Sequence, residues 1–160
     1  MFYPDLMTCT YNKQRNGFVH SALVTIGWLE KDYHFSVGET PTAFAEKLLD
    51  MCNNSIYRMR SYSVCDLCTK PDSQAMVEAE IWVPGKENKI YVAPSLIYHY
   101  VSEHQYRPPD EFIEAVQLAQ RGLSQQQAYE IGPEDPHLLY NHFLRQYGSV
   151  SSEWRSMFGK

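Results

Sequence analysis

VCDLC (64–68) and YVAPSLIYHYVSEHQYRPPDEF (91–112), separated by a stretch that reads as a β-hairpin, are the two segments on which the fold turns. Cys65 and Cys68 form a C-x2-C pair. Roughly thirty residues later, His99 and His104 form an H-x4-H pair. Tetrahedral zinc takes four soft or borderline ligands at about 2.0–2.3 Å, commonly as two pairs, each held on a short rigid segment. A turn supplies the thiols here and a helix supplies the imidazoles. The order knuckle, hairpin, helix is that of a treble-clef-like module. Cys65, Cys68, His99 and His104 are therefore the predicted metal ligands and zinc the predicted ion. With four protein ligands no coordination position stays open, so the metal is structural and not catalytic.

Helix geometry raises an objection. At about 100° per residue, positions five apart diverge by about 140°, so an undistorted helix does not aim both rings at one point. Either the last turn distorts or His104 lies just past the regular helix. The alternatives to zinc are a metal-free knuckle with hydrogen-bonded core histidines and, ranked last, a redox dithiol. CDLC is followed by the polar turn TKPDSQ, not by the helix of a thioredoxin-like motif.

Working outward, AMVEAEIWV (75–83) alternates Val77, Ala79, Ile81 and Val83 with Glu78, Glu80 and Trp82, the pattern of a half-exposed strand. PGKENK is a turn, and IYVA the return arm of a hairpin. Ser95 is the predicted cap of LIYHYVSEH, which Pro108-Pro109 must end. Pro109 pre-sets the first turn of DEFIEAVQLAQ, whose Asp110 and Glu111 suit the positive end of the helix dipole, and Gly122 closes it.

Towards the N-terminus, Phe18–Leu29 reads as a buried strand, and the residues before Gly17 as irregular. Thr40 with Pro41 predicts a helix start, with Phe44, Leu48, Leu49 and Cys52 inward and Asn53-Asn54 as the stop. Ile56–Tyr62 reads as a short strand. Towards the C-terminus, Ser124 and Gln127 fit a capping box. Asp135-Pro136 opens a further helix, and Trp154, Met157 and Phe158 keep helical spacing in the tail.

A chain of 160 residues with 44% hydrophobic content is long enough for one domain with a real core. We read 1–160 as a single domain, with a core over 18–120 and a helical extension over 121–160. Its 14 basic and 19 acidic residues give a net charge of −5, which disfavours sequence-independent nucleic-acid binding and steers a basic protein partner instead. No run reaches membrane-spanning length, and a cytoplasmic location is expected. Cys9 and Cys52 stand alone and read as small hydrophobes. Oligomeric state is not legible.

Glu30, Asp32, His20 and His34 cluster near the end of the first strand, where the loop after a buried strand is a reasonable place for chemistry, although charged loop residues are usually only solvated. Phosphate-loop, dinucleotide, nucleophile-elbow and H-E-x-x-H motifs do not occur.

GWLEKDYHFSVGETP (27–41), CDLC and above all VPGKENKIYVAPSLIYHYVSEHQYRPPDEFIEAV (83–116) resemble a family of small bacterial proteins of unknown function. The resemblance implies that Cys65, Cys68, His99 and His104 occupy recurrent positions, and it implies little about activity. The predicted fold is α+β: a small antiparallel sheet, a treble-clef-like knuckle–hairpin–helix unit and a helical C-terminal extension. Function is expected to be non-enzymatic protein binding, an immunity or antitoxin-like inhibitor being one concrete form. The alternative is a small hydrolase-type enzyme using the Glu30/Asp32/His34 loop or an open metal site.

Overall fold

The computed structural model describes residues 2–9, 22–69, 75–87 and 89–130. Within them the chain is α+β. The main sheet has the order β1 (Leu23–Thr25), β5 (Ile90–Pro94), β4 (Glu80–Pro84). β4 and β5 form the predicted antiparallel hairpin, in register Trp82↔Val92. β1 joins parallel to β5, in register Val24↔Tyr91. The predicted small antiparallel sheet is present, and β1 adds one parallel pairing to it. A long crossover separates β1 from β5, and such a connection brings the second strand back in the same direction.

Strand pattern and burial agree at Ile81 and Val83 and disagree at Glu80 and Trp82, which are buried as well. AMVEAEIWV is not one half-exposed strand. Its first part is β3 (Ala75–Val77), which pairs antiparallel with β2 (Tyr62–Val64) in a separate two-stranded ribbon. Its second part is β4, covered on both faces. Phe44, Leu48, Ile81, Val83, Tyr91 and Phe112 share one apolar cluster, and Leu23, Trp82, Ile90, Val92 and Leu123 another. Glu80 is tolerated because its Oε1 accepts the Trp82 indole N–H at 3.0 Å. Ile56 meets Glu80 through a pair of main-chain bonds of 2.7 and 2.9 Å, so the predicted strand at 56–62 is a bridge that leads into β2.

α1 (Thr42–Asn53) starts one residue later than the Thr40/Pro41 pair predicts. Pro41 keeps an extended ψ of 140° and is itself the N-cap. Phe44, Leu48, Met51 and Cys52 are buried, whereas Leu49, off that stripe, is exposed. α2 (Ile97–His104) is not capped by Ser95, whose hydroxyl donates to the Val77 carbonyl at 2.9 Å and ties the helix entry to β3. α3 (Asp110–Leu118) follows Pro109 and ends before Gly122, at an extended Ala119. α4 (Gln125–Glu130) opens on the predicted box: Ser124 N–H donates to Gln127 Oε1 at 2.6 Å, and Gln127 N–H donates to Ser124 Oγ at 3.2 Å. The helices predicted from Asp135 and in the tail lie outside the described residues.

The opening residues are less irregular than predicted. Leu6 N–H donates to Thr25 carbonyl and Thr25 N–H to Met7 carbonyl, both at 2.8 Å, so this segment lies along the outer edge of β1. Asp5 then accepts from Gly27 N–H at 2.9 Å and from the Tyr106 hydroxyl at 2.8 Å. Gly27 has φ +73°, and a Cβ there would stand 2.7 Å from Ile97 Cδ1. β1 and α2 approach closely at this point because the residue is glycine.

Candidate metal centre

β2 leads directly into the knuckle. The ribbon register Val64↔Ala75 means that Cys65 and Cys68 lie in the connection between β2 and β3. The N–H groups of Leu67 and Cys68 donate to Cys65 Sγ, closing a tight turn around the sulfur. Asp66 faces outward, and its Oδ2 accepts the Lys31 N–H at 3.3 Å, tying the knuckle to the loop after β1.

α2 brings the imidazoles. His99 is buried in the first part of the helix and His104 is its last residue. The helical objection is answered by the helix end. Gln105 is left-handed (φ 54°, ψ 26°), and the Tyr100 carbonyl accepts from both Gln105 N–H and Tyr106 N–H. Those bonds close five and six residues on, where a regular helix closes at four, so the last turn is widened. Each residue then rotates through less than about 100°, which swings a residue five positions on back towards the side of His99.

The four side chains converge. Cys68 Sγ is 3.2 Å from His99 Nε2 and 3.4 Å from His104 Nε2; Cys65 Sγ is 3.3 Å from His104 Nε2. The two Nε2 atoms are 3.3 Å apart, and all four ligand atoms lie within 4.8 Å of one another. A tetrahedral ion held at about 2.3 Å by sulfur and about 2.0–2.1 Å by nitrogen gives edges of about 3.3 Å (N–N) and about 3.5 Å (S–N). The observed edges match to a few tenths of an ångström. Pairwise hydrogen bonding accounts for them less well. Two facing Nε2 atoms share at most one proton between neutral rings, yet each also touches a sulfur.

Burial pushes the Cys65 thiol up, towards the protonated form, so binding an ion as thiolate would release that proton. Burial, then the neighbouring His104, lowers His99 and keeps it in the neutral form that ligates metals. The Tyr100 hydroxyl beside the site is raised, first by burial and then by the negative charge of Cys65, Asp66, Cys68 and Glu30. Cys52, by contrast, is buried away from the cluster, and its thiol is pushed up to about 12 by desolvation, leaving it an inert core residue.

Among the described residues Glu30, Asp32 and His34 of the second predicted constellation form no converging group, and His20 lies outside those residues. Among the described residues, the Cys65/Cys68/His99/His104 set is the group of metal-ligating side chains whose atoms converge. Reading the sequence missed Asp66 and the loop it anchors. Nothing in the spacing of CDLC signals what its second residue holds.

These features define a class: a small α+β domain in which a C-x2-C turn and two histidines of one helix are placed to bind a metal ion. The chain belongs to the family described as Domain of unknown function (DUF7919), which matches residues 1–117. That span holds all four candidate ligands and ends within α3. No curated protein and no solved structure matches the chain. Among the described residues no helix is long and apolar enough to cross a membrane.

Proposed function

We propose that the domain is a non-enzymatic protein-binding module in which Cys65, Cys68, His99 and His104 hold a structural zinc ion. The observation that carries the metal is the convergence of four ligand atoms from a turn and a helix, four of their six separations at 3.2–3.4 Å and all within 4.8 Å. A two-thiolate, two-imidazole tetrahedral set suits zinc better than magnesium, calcium or manganese, which prefer oxygen. Such a set is closed, so the ion would supply folding energy and not an activated water. The thiols need a reducing compartment to stay available, which supports a cytoplasmic location. A small acidic inhibitor of the immunity or antitoxin type is one form such a module takes.

Elemental analysis of the purified untagged chain tests the centre. One zinc per chain, lost in Cys65→Ser, is the expected result. A parent protein purified with zinc present that carries none, or a Cys65→Ser protein that keeps its full complement, overturns the reading.

A further inference from the structure

Among the described residues, one edge of the ribbon that carries the knuckle has no strand paired to it. β2 pairs with β3 on one side, in register Tyr62↔Val77 and Val64↔Ala75, and among the described residues no strand pairs with its other side. The phase of the ladder shows which groups face that open side. Glu78 N–H donates to the Ser61 carbonyl at 3.0 Å, in the same register as the ribbon. Bonded and non-bonded pairs alternate along an antiparallel ladder. Ser61–Glu78 and Ser63–Met76 therefore take the bonded positions, and the main-chain N–H and C=O groups of Tyr62 and Val64 point outward.

The side chains along this edge are also open. Met59, Tyr62 and Val64 are 54%, 67% and 49% exposed, a concentration of apolar surface in one short segment. Arg58 and Arg60 precede them, both exposed, with Arg58 making a long 3.4 Å contact to Ser55 Oγ. The run 55–64, SIYRMRSYSV, has two arginines and no acid. The nearby carboxylates are Glu78, which accepts the Ser61 hydroxyl at 2.7 Å, and Asp66, which accepts the Lys31 N–H. On a chain of net charge −5 this edge is locally basic, opposite in sign to the long-range field.

We infer that the β2 edge is a docking site for an extended, acidic segment of a partner protein, added as a third strand to the ribbon. This deepens the protein-binding reading above and rests on it. Main-chain bonds to Tyr62 and Val64 supply the pairing, their side chains pack on apolar residues of the incoming strand, and Arg58 and Arg60 select acids at its adjacent positions.

The test uses the full chain and a capped synthetic peptide with two glutamates and two valines at alternate positions and threonines between, made in both sequence orders. A lysine-for-glutamate version is the control. The parent should bind the glutamate peptide, more weakly as salt rises, and discriminate against the lysine one. Val64→Pro removes an outward N–H without touching the β2–β3 ladder, and proline is tolerated on an edge strand. It should weaken binding roughly tenfold or more at unchanged metal content. Arg58→Glu with Arg60→Glu should reverse the peptide preference, and keeps the inference testable if the proline variant fails to fold. Equal binding of the two peptides by the parent, or binding that survives Val64→Pro in a folded protein, overturns it. So does a parent that dimerises through this edge, or one that prefers a single-stranded oligonucleotide to the glutamate peptide. Zinc-loaded protein indifferent to both peptides removes the docking edge alone. A parent that takes up no zinc when zinc is supplied, yet binds charge-selectively, removes the zinc reading alone.

Discussion

Metal and Cys65 form a cycle whose corners separate a metal centre from a hydrogen-bonded core cluster. The perturbation is chelation of the purified protein, alone and combined with Cys65→Ser. A ligand that binds only the folded chain stabilises it by RT ln(1 + [L]/Kd), about 4 kcal/mol when free metal stands a thousandfold above Kd. For a chain of this size each kcal/mol moves the melting midpoint by about 2–4 °C, so chelation should lower it by roughly 8–16 °C. Cys65 is buried and touches His104 at 3.3 Å, so serine, similar in shape, leaves a polar partner in place but removes the thiolate. In excess chelator the parent and Cys65→Ser should therefore melt within about 2 °C of each other, while in zinc-buffered solution they separate by the full interval. Differential scanning fluorimetry in matched zinc and chelator buffers reads all four corners. Two results would refute the reasoning: a parent insensitive to chelator, or a variant destabilised equally with and without metal. The second would mean that Cys65 stabilises the fold as a protonated thiol.

Because the knuckle closes the β2–β3 ribbon, chelation should also speed tryptic cleavage after Arg58 and Arg60 and amide exchange over 57–69, more than exchange in β4 and β5; uniform protection in both states would count against the coupling. Gly27→Ala should destabilise by roughly 2–4 kcal/mol, since it combines a left-handed backbone with a Cβ 2.7 Å from Ile97 Cδ1; a denaturant midpoint within error of the parent would contradict this. Ser124→Ala should cost about 1 kcal/mol through loss of the Gln127 N–H acceptor, checked by the same melts. Burial raises the carboxyl of Asp5 above its ordinary value, and the bonds from Gly27 and Tyr106 only partly offset this. The folded state then holds the proton more readily than the unfolded one, so Asp5 makes stability fall as pH rises from the ordinary carboxylate range through the raised value. Asp5→Asn should flatten that fall in stability above the ordinary carboxylate range, and parallel curves for the two proteins would disprove the assignment.

What was legible in the sequence was chemistry at fixed spacing. The convergence of Cys65, Cys68, His99 and His104 could be anticipated because residue types and separations that suit metal ligation also bring side chains together. The Ser124/Gln127 box could be named because a cap is a local device. Failures came where tertiary context decides. Alternation in AMVEAEIWV correctly placed Ile81 and Val83 inside, but it could not reveal that the opposite face is covered too, so Glu80 and Trp82 were assigned to solvent. The helix register through His99 and His104 argued against convergence. The widened last turn that resolves it ends on a left-handed non-glycine residue, Gln105, and nothing in the spacing marks either feature. Serine is a good cap, and position alone predicts that role for Ser95; its hydroxyl instead finds the Val77 carbonyl on a strand distant in sequence.

The position of the metal ligands bears on the open edge. A two-stranded ribbon with three residues in each strand is too short to be stable alone, and fixing each backbone residue costs about 1–2 kcal/mol of conformational entropy. If the ribbon had to be ordered at the moment a third strand docked, that cost would be subtracted from the affinity. Cys65 and Cys68 sit in its connection and their partners on α2, so an ion between them would anchor the end of the ribbon to a helix in the main core before any partner arrives. Asp66 adds a second anchor through Lys31. On this account the metal does not touch the docking strand but raises its affinity by pre-ordering the edge. Chelation should then weaken the glutamate peptide while leaving its preference over the lysine peptide intact, because Arg58 and Arg60 remain. Titrating both peptides into zinc-loaded and chelated protein separates the two effects: loss of selectivity along with affinity would place the arginines themselves under the control of the metal, and the pre-ordering argument would fail.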